Sequence, residues 1–281
     1  MVLVNDETNK GYYLSPQLKL LWDKTSLEKM KKKNMDRVYI VDGRERLGKS
    51  TFAFQQGAYI DKKILSSPEE FCSRVCFTPE DFHEAVKNTK NGVIFFDEAF
   101  RGLSSRSAMS KVNKLIIQTL MEMGQHNNIV FIILPSVFML DVYPAMLRSD
   151  GLFNIFEDRK SGKRCWRGYN RRDKNQIYQI GIRKGWNYFL PTRFRDWFFK
   201  KFPGGDEFEK AYLAKKAHAL SGIGKRTAIE EEKANAEEWS IYNDLKSGKK
   251  ILDVAAEHET YPERVRRIRA KLKFLEQKEK Q

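Results

Sequence analysis

Cysteine is scarce in this chain: Cys72, Cys76 and Cys165 are the three present. An odd number without metal-type spacing excludes a disulfide framework and a cysteine-ligated metal centre, and fits reduced thiols. No apolar run approaches the roughly 20 residues that a membrane-spanning helix needs, and nothing repeats internally. The first residues do not form a signal-peptide pattern, so a cytoplasmic location is the expectation. Acid is the other shortage, with 37 Asp and Glu against 52 Lys and Arg, a formal net charge of +15. That balance favours a polyanionic partner, either nucleic acid or an acidic membrane surface. At 281 residues there is room for one α/β domain and one or two small modules.

The strongest local signal lies between Val38 and Thr51. An apolar run, Val38 to Val41, leads to Gly43. Arg44, Glu45, Arg46 and Leu47 follow, and Gly48-Lys49-Ser50-Thr51 then opens a helix that should run to about Ile60. This is the G-x-x-x-x-G-K-[ST] pattern in its strand-to-helix setting. Glycines let the backbone approach phosphate oxygens, and the helix start offers N–H groups and a positive dipole end to a polyanion. ATP with Mg²⁺ is the implied cofactor. Lys49 would reach its β- and γ-phosphates, and Ser50 would hold the metal. The charged Arg44, Glu45 and Arg46 stand where small residues are frequent; they read either as solvated loop tips or as contacts to a neighbouring subunit.

A second apolar strand, Val93–Phe96, ends in Asp97-Glu98. Its continuous hydrophobicity is that of a strand buried on both faces. Asp97 at the strand end would bind Mg²⁺ through water, and Glu98 would polarise an attacking water, the two carboxylates that phosphoryl transfer requires at minimum. A Ser-rich stretch with Arg101 and Arg106 leads into a helix around Leu115–Met123. A third strand follows, Ile129–Leu134, with Ser136 at its carboxyl end, where a doubly wound sheet binds its ligand. Arg148 precedes a closing strand, Leu152–Phe156.

This succession resembles the additional-strand, catalytic-glutamate division of P-loop NTPases. Within it, the stretch from Met123 to Ser136 is similar to FtsK/HerA-type DNA translocases and zonular-occludens-toxin-like phage ATPases. The resemblance spans residues 36–157. It implies a RecA-like core, ATP hydrolysis, Ser136 as a polar sensor and assembly into a homo-oligomeric ring. It also implies work on DNA, with a duplex as the substrate and a viral or mobile-element assembly as the setting. Two positions depart from the pattern: Gln125 stands where relatives often have Arg, and Ser136 where a Gln is common. Arg101, Arg106 and Arg148 are therefore the candidates for an arginine directed at the γ-phosphate, each with a surface or salt-bridge role as its alternative.

Beyond the core, residues 159–201 interleave cations, Arg167, Arg171 and Arg172 among them, with aromatics such as Trp166, Tyr169, Tyr178, Trp186 and Trp197. Ser161-Gly162 and the stretch Arg172–Asn175 read as hairpin turns. The aromatics would either stack on unpaired bases or fill a small β-core. Near the end, Ala255, Val265 and Ile268 fall at the offsets of a helix-turn-helix. The segment resembles such DNA-binding units, with Glu259 in place of the frequent turn glycine and Pro262 in the first turn of the second helix. Arg264, Arg266, Arg267, Arg269 and Lys271 spread cations around that helix. A helical hairpin for oligomer contacts is the alternative.

The expected fold is α/β: an N-terminal helical extension (1–36), a P-loop core (37–158), a basic aromatic β-rich extension (159–205), a helical linker (206–236) with a joint at Ser221–Gly224, and a helix-turn-helix-like domain (237–281). The expected activity is an ATP-driven DNA motor for translocation or packaging. The alternative is an ATP-switched DNA-binding adaptor such as a helicase loader or transposition regulator. A small-molecule kinase would leave the basic tail unexplained.

Overall fold

A computed structural model describes the backbone of residues 2–6, 9–97 and 106–279, and the side chains of these except at 2–6, 9–11, 106–111, 220, 222–235 and 274–279. Two compact units are present, residues 1–219 and 220–281.

The first unit is built on a seven-stranded sheet. In chain order its strands are β3 (Arg37–Gly43), β4 (Val75–Cys76), β5 (Val93–Asp97), β6 (Ile129–Ile133), β7 (Gly151–Glu157), β8 (Arg164–Asn170) and β9 (Arg195–Trp197). The spatial order is β4-β5-β6-β3-β7-β8-β9. The five strands from β4 to β7 pair in parallel, and β8 and β9 add antiparallel. The result is a mixed α/β fold with a mostly parallel sheet, as expected of a P-loop-type core. β6 separates the strand that ends in Gly43 from the strand that ends in Asp97, and its register sets Val41 and Asp97 level with Ile133.

The period of two along each strand sorts the core into two layers. On one face Tyr39, Val41, Phe95, Phe131 and Phe153 pack with Phe52 and Phe54 of α3 (Lys49–Ile60) and Trp22 of α1 (Pro16–Lys24). On the other, Val38, Ile40, Ile94, Phe96 and Ile132 pack with Phe82 of α5 (Pro79–Asn88) and Leu120 of α6 (Arg106–Glu122). Thr78 starts α5 by accepting a hydrogen bond from the Asp81 amide, with Pro79 in the first turn, and Ser67 and Pro68 do the same for α4 (Pro68–Ser73).

Two segments depart from the sequence expectation. The N-terminal extension begins as an antiparallel pair, β1 (Val2–Asp6) with β2 (Asn9–Leu14), before α1 and α2 (Leu27–Lys33). Residues 159–205 do not form a β-rich extension of their own: β8 and β9 continue the central sheet, and Trp166 and Tyr169 are buried in its core. The turn at Ser161-Gly162 is present, with Gly162 at φ +63°. The one expected at Arg172–Asn175 is instead the first turn of α7 (Arg171–Arg183). Asn170 caps that helix by accepting from the Asp173 amide, and Ile177, Tyr178 and Gly181 give it a buried face at helical spacing. α8 is helical from Asp206 to Lys246, including Ser221–Gly224, and the division between the two compact units falls between residues 219 and 220.

The second unit holds the end of α8, α9 (Ile251–Glu257) and α10 (Pro262–Glu279). Ile241, Tyr242, Val254, Ala255, Val265, Ile268 and Leu272 form its core. Gly248, at φ +96°, follows the end of α8. Glu259 adopts the left-handed conformation, φ +46°, at the position where a turn glycine is frequent. Ala255, Val265 and Ile268 are all buried. No helix among the described residues is long and apolar enough to cross a membrane.

Candidate functional site

The loop after β3 is shaped by its two glycines. Gly43 lies at φ +139°, and a Cβ there would stand 2.2 Å from the Ile155 carbonyl oxygen, so β3 can run against β7 only with glycine at this point. Gly48 lies at φ +90° and starts α3 with no side-chain cap on the helix, leaving a helix N-terminus of the kind that receives anions. Arg44, Glu45 and Arg46 are exposed, and Leu47 packs on the core. Arg46 takes φ +63°. The Lys49 ammonium donates a 2.9 Å hydrogen bond to the Arg44 carbonyl across the loop.

A cavity of about 650 Å³ opens over this loop at the carboxyl ends of the parallel strands, lined by Lys49, Ser50, Thr51 and Asp97 among others. The two sequence anchors therefore meet in one place. An ammonium, two hydroxyls and a buried carboxylate around an uncapped helix start are a donor set that fits a magnesium-bound polyphosphate. Ser50 and Asp97 are the residues that would hold the metal. Among the described residues, no group of three or more His, Cys, Asp or Glu could hold a metal by protein ligands alone.

Several candidates lie elsewhere. Glu98 and Arg101 are outside the described residues, as is the side chain of Arg106 at the start of α6. Arg148 is not at the cavity: it pairs with Asp36 and donates to the Leu120 carbonyl, next to the amino end of β3 and at the opposite end from the Gly43–Gly48 loop. Ser136 follows β6, but the cavity is lined by Ile133, Leu134 and Pro135 instead, and Ser136 faces the Tyr188 hydroxyl.

Tyr188 belongs to a buried cluster that sequence reasoning missed. Asp42, directly before Gly43, accepts hydrogen bonds from the Tyr188 hydroxyl, from Asn154 Nδ2 at 2.8 Å and from the Val137 amide at 2.9 Å. Burial pushes the Asp42 carboxyl up to about 6, against the opposing pull of these donors and of Arg167. Arg167 donates to Asn154 Oδ1 at 2.9 Å and lies over the rings of Tyr188 and Phe156. An acid ending an apolar run was the available signal for Asp42.

No protein-family model matches the chain, and no curated protein matches it. Among solved structures it is similar to the N-terminal domain of zonular occludens toxin from Neisseria meningitidis, at 14% identity over 48% of this chain and 84% of that chain, with a TM-score of 0.30.

The cavity has further walls that no sequence motif marked: Arg164 from β8, Lys200 and Phe202 after β9, and Glu209, Tyr212, Leu213 and Lys216 from α8. Tyr212 donates a 2.7 Å hydrogen bond to Asp97 Oδ2, and Lys216 reaches the Tyr212 hydroxyl at 3.2 Å.

The cations expected to contact DNA divide into tied and open ones. Arg167 is engaged as described, and Arg171 donates to the Leu147 carbonyl. Arg264 pairs with Glu237 at 3.2 Å and Lys271 with Glu238 at 2.5 Å. Arg172, Arg266, Arg267 and Arg269 are exposed.

Proposed function

We propose that this chain is an ATP-hydrolysing motor that acts on DNA. The observation that supports the reading most directly is the meeting of Lys49 and Ser50, at the start of α3 after β3, with Asp97, at the end of β5, in one cavity, although β6 separates the two strands. Bound Mg²⁺ would supply charge neutralisation on the phosphate oxygens. The chain's own part is to wrap the phosphates with the Gly43–Gly48 loop, to bring Lys49 to them, and to place Glu98, next to Asp97, where it can orient water.

The DNA half of the proposal rests on charge. A net of +15, with Arg266, Arg267 and Arg269 exposed along α10 of a small three-helix unit, fits a helix-turn-helix bound to a duplex. Movement of viral or mobile-element DNA by a ring of subunits is the biological form proposed.

A steady-state ATPase titration with single- and double-stranded DNA, read beside the mass of the assembled particle, tests this. A motor gives DNA-stimulated turnover that Lys49→Ala abolishes, and displaces a roadblock from the duplex. Slow, DNA-independent hydrolysis with nucleotide-dependent DNA affinity would replace the motor with a switched adaptor. No retention of Mg-ATP by folded protein would end both readings.

A further inference from the structure

The far edge of the sheet sends two cations back to the P-loop. Arg164 opens β8, and its carbonyl accepts the amide of Phe198 at 3.0 Å, which fixes the start of β8 to the strand end after β9. The chain then passes along α3. Phe198 is buried with its ring centroid 5.3 Å from that of Phe52. Gln55, fully buried on α3, donates to the carbonyls of Phe199 at 2.8 Å and Lys201 at 2.7 Å, one on each side of Lys200. A side-chain amide spent on two consecutive odd-numbered carbonyls holds this strap in one conformation, so Lys200 is presented from a fixed backbone.

Both side chains pass beside the phosphate loop and line its cavity. From the position a Cβ would take on Gly48, Arg164 Nη1 lies 3.7 Å away and Lys200 Cγ 3.7 Å away. The surrounding charged groups of the cavity are Arg46, Lys49 and Lys216 against Glu45, Asp97 and Glu209. Among the described residues neither Arg164 nor Lys200 makes an ion pair, in contrast to Arg37 with Asp150 and Arg148 with Asp36. Two cationic side chains lining one cavity without an ion-pair partner gain from an anion placed within reach of both charges. A guanidinium fork is suited to phosphate oxygens, and an ammonium acts as a point charge toward them.

We infer that Arg164 and Lys200 bind the phosphate chain of the nucleotide in cis, as cations supplied by the sheet edge. The inference rests on the P-loop reading above and assigns it two residues that none of the motifs contains. The tie from Gln55 makes the strap part of the nucleotide site, so the antiparallel edge of the sheet is needed for binding as well as for folding.

The test is calorimetric binding of Mg-ATP and of inorganic tripolyphosphate to the full chain, with the unliganded melting temperature recorded for each variant. Arg164→Ala and Lys200→Ala are expected to weaken both ligands by about tenfold or more, and Arg164→Lys to recover part of the loss. Lys200 is exposed, so its replacement leaves the core intact and covers the case in which Arg164→Ala does not fold. If wild type binds both ligands and Lys49→Ala loses them, but Arg164→Ala and Lys200→Ala bind tripolyphosphate as wild type does, the inference is overturned and the P-loop reading stands. If wild type binds neither ligand, the P-loop reading itself fails.

Discussion

Tyr212 and Asp97 are 115 residues apart in sequence, and the tyrosine hydroxyl donates a 2.7 Å hydrogen bond to the carboxylate. The donor sits on α8, locked by packing against Phe54, with ring centroids 5.1 Å apart, and against Phe202 at 5.6 Å. A carboxylate that is to hold a hydrated metal is oriented by such an outer partner. Tyr212→Phe removes the hydroxyl and keeps the packing. The half-saturating Mg²⁺ concentration for nucleotide binding should rise about tenfold, measured with a fluorescent ATP analogue at fixed nucleotide. No change would reduce the contact to a packing detail.

Glu98 follows Asp97 directly, and its proposed task is to orient water. Glu98→Gln should therefore bind Mg-ATP as wild type does while its turnover falls by about a hundredfold or more. Normal turnover in this variant would remove Glu98 from that role.

Gly43 and Gly162 both have positive φ, but what surrounds them differs. A Cβ on Gly43 meets the Ile155 carbonyl oxygen at 2.2 Å, whereas nothing lies within 4 Å of one on Gly162. Gly43→Ala should cost about 3 kcal/mol or more, because backbone must move, and Gly162→Ala about 1 kcal/mol for the left-handed conformation alone. Denaturant midpoints of the two variants compare them directly.

What could be read in advance follows the range of the forces involved. The runs Val38–Val41, Val93–Phe96 and Ile129–Leu134 are continuous and apolar, so strands were legible in them, and burial on both sheet faces was legible in Val93–Phe96. The glycine spacing around Lys49 was legible as well, because backbone geometry requires it. Ala255, Val265 and Ile268 carried the core of the C-terminal unit in their spacing. The turn expected at Arg172–Asn175 misled because its residues suit a turn equally well. The Asn170 cap and the periodicity of Ile177, Tyr178 and Gly181 decide for helix. Arg148 and Arg164 look alike in sequence. Only tertiary structure shows that one is paired with Asp36 while the other points at Gly48.

Asp42 gives a pH dependence of definite sign. Its carboxyl is raised from 3.8 to about 6 by burial, so the folded state holds a proton that the unfolded state has released between these values. Its contribution to stability is full below about pH 4 and is lost as pH rises through 6. By the shift of about two pH units, wild type should lose up to about 3 kcal/mol across this window relative to Asp42→Asn. Chemical denaturation at pH 4 and pH 7 for both proteins checks it, and parallel profiles would contradict the assignment.

On α10, Val265, Ile268 and Leu272 face the core of the second unit, which turns Arg266, Arg267 and Arg269 outward. Arg264 and Lys271 are already paired with Glu237 and Glu238, so the three open arginines should carry most of the phosphate contact. Replacing all three by Ala should weaken duplex binding at low salt and lower the slope of log affinity against log salt by about 2 to 3, since each phosphate contact contributes about 0.9. Replacing Arg264 and Lys271 should change the slope by less, because each must first leave a carboxylate. If the triple variant binds DNA with unchanged slope while the assembled mass falls, α10 serves subunit contact, and the charge on it answers to another copy of the chain.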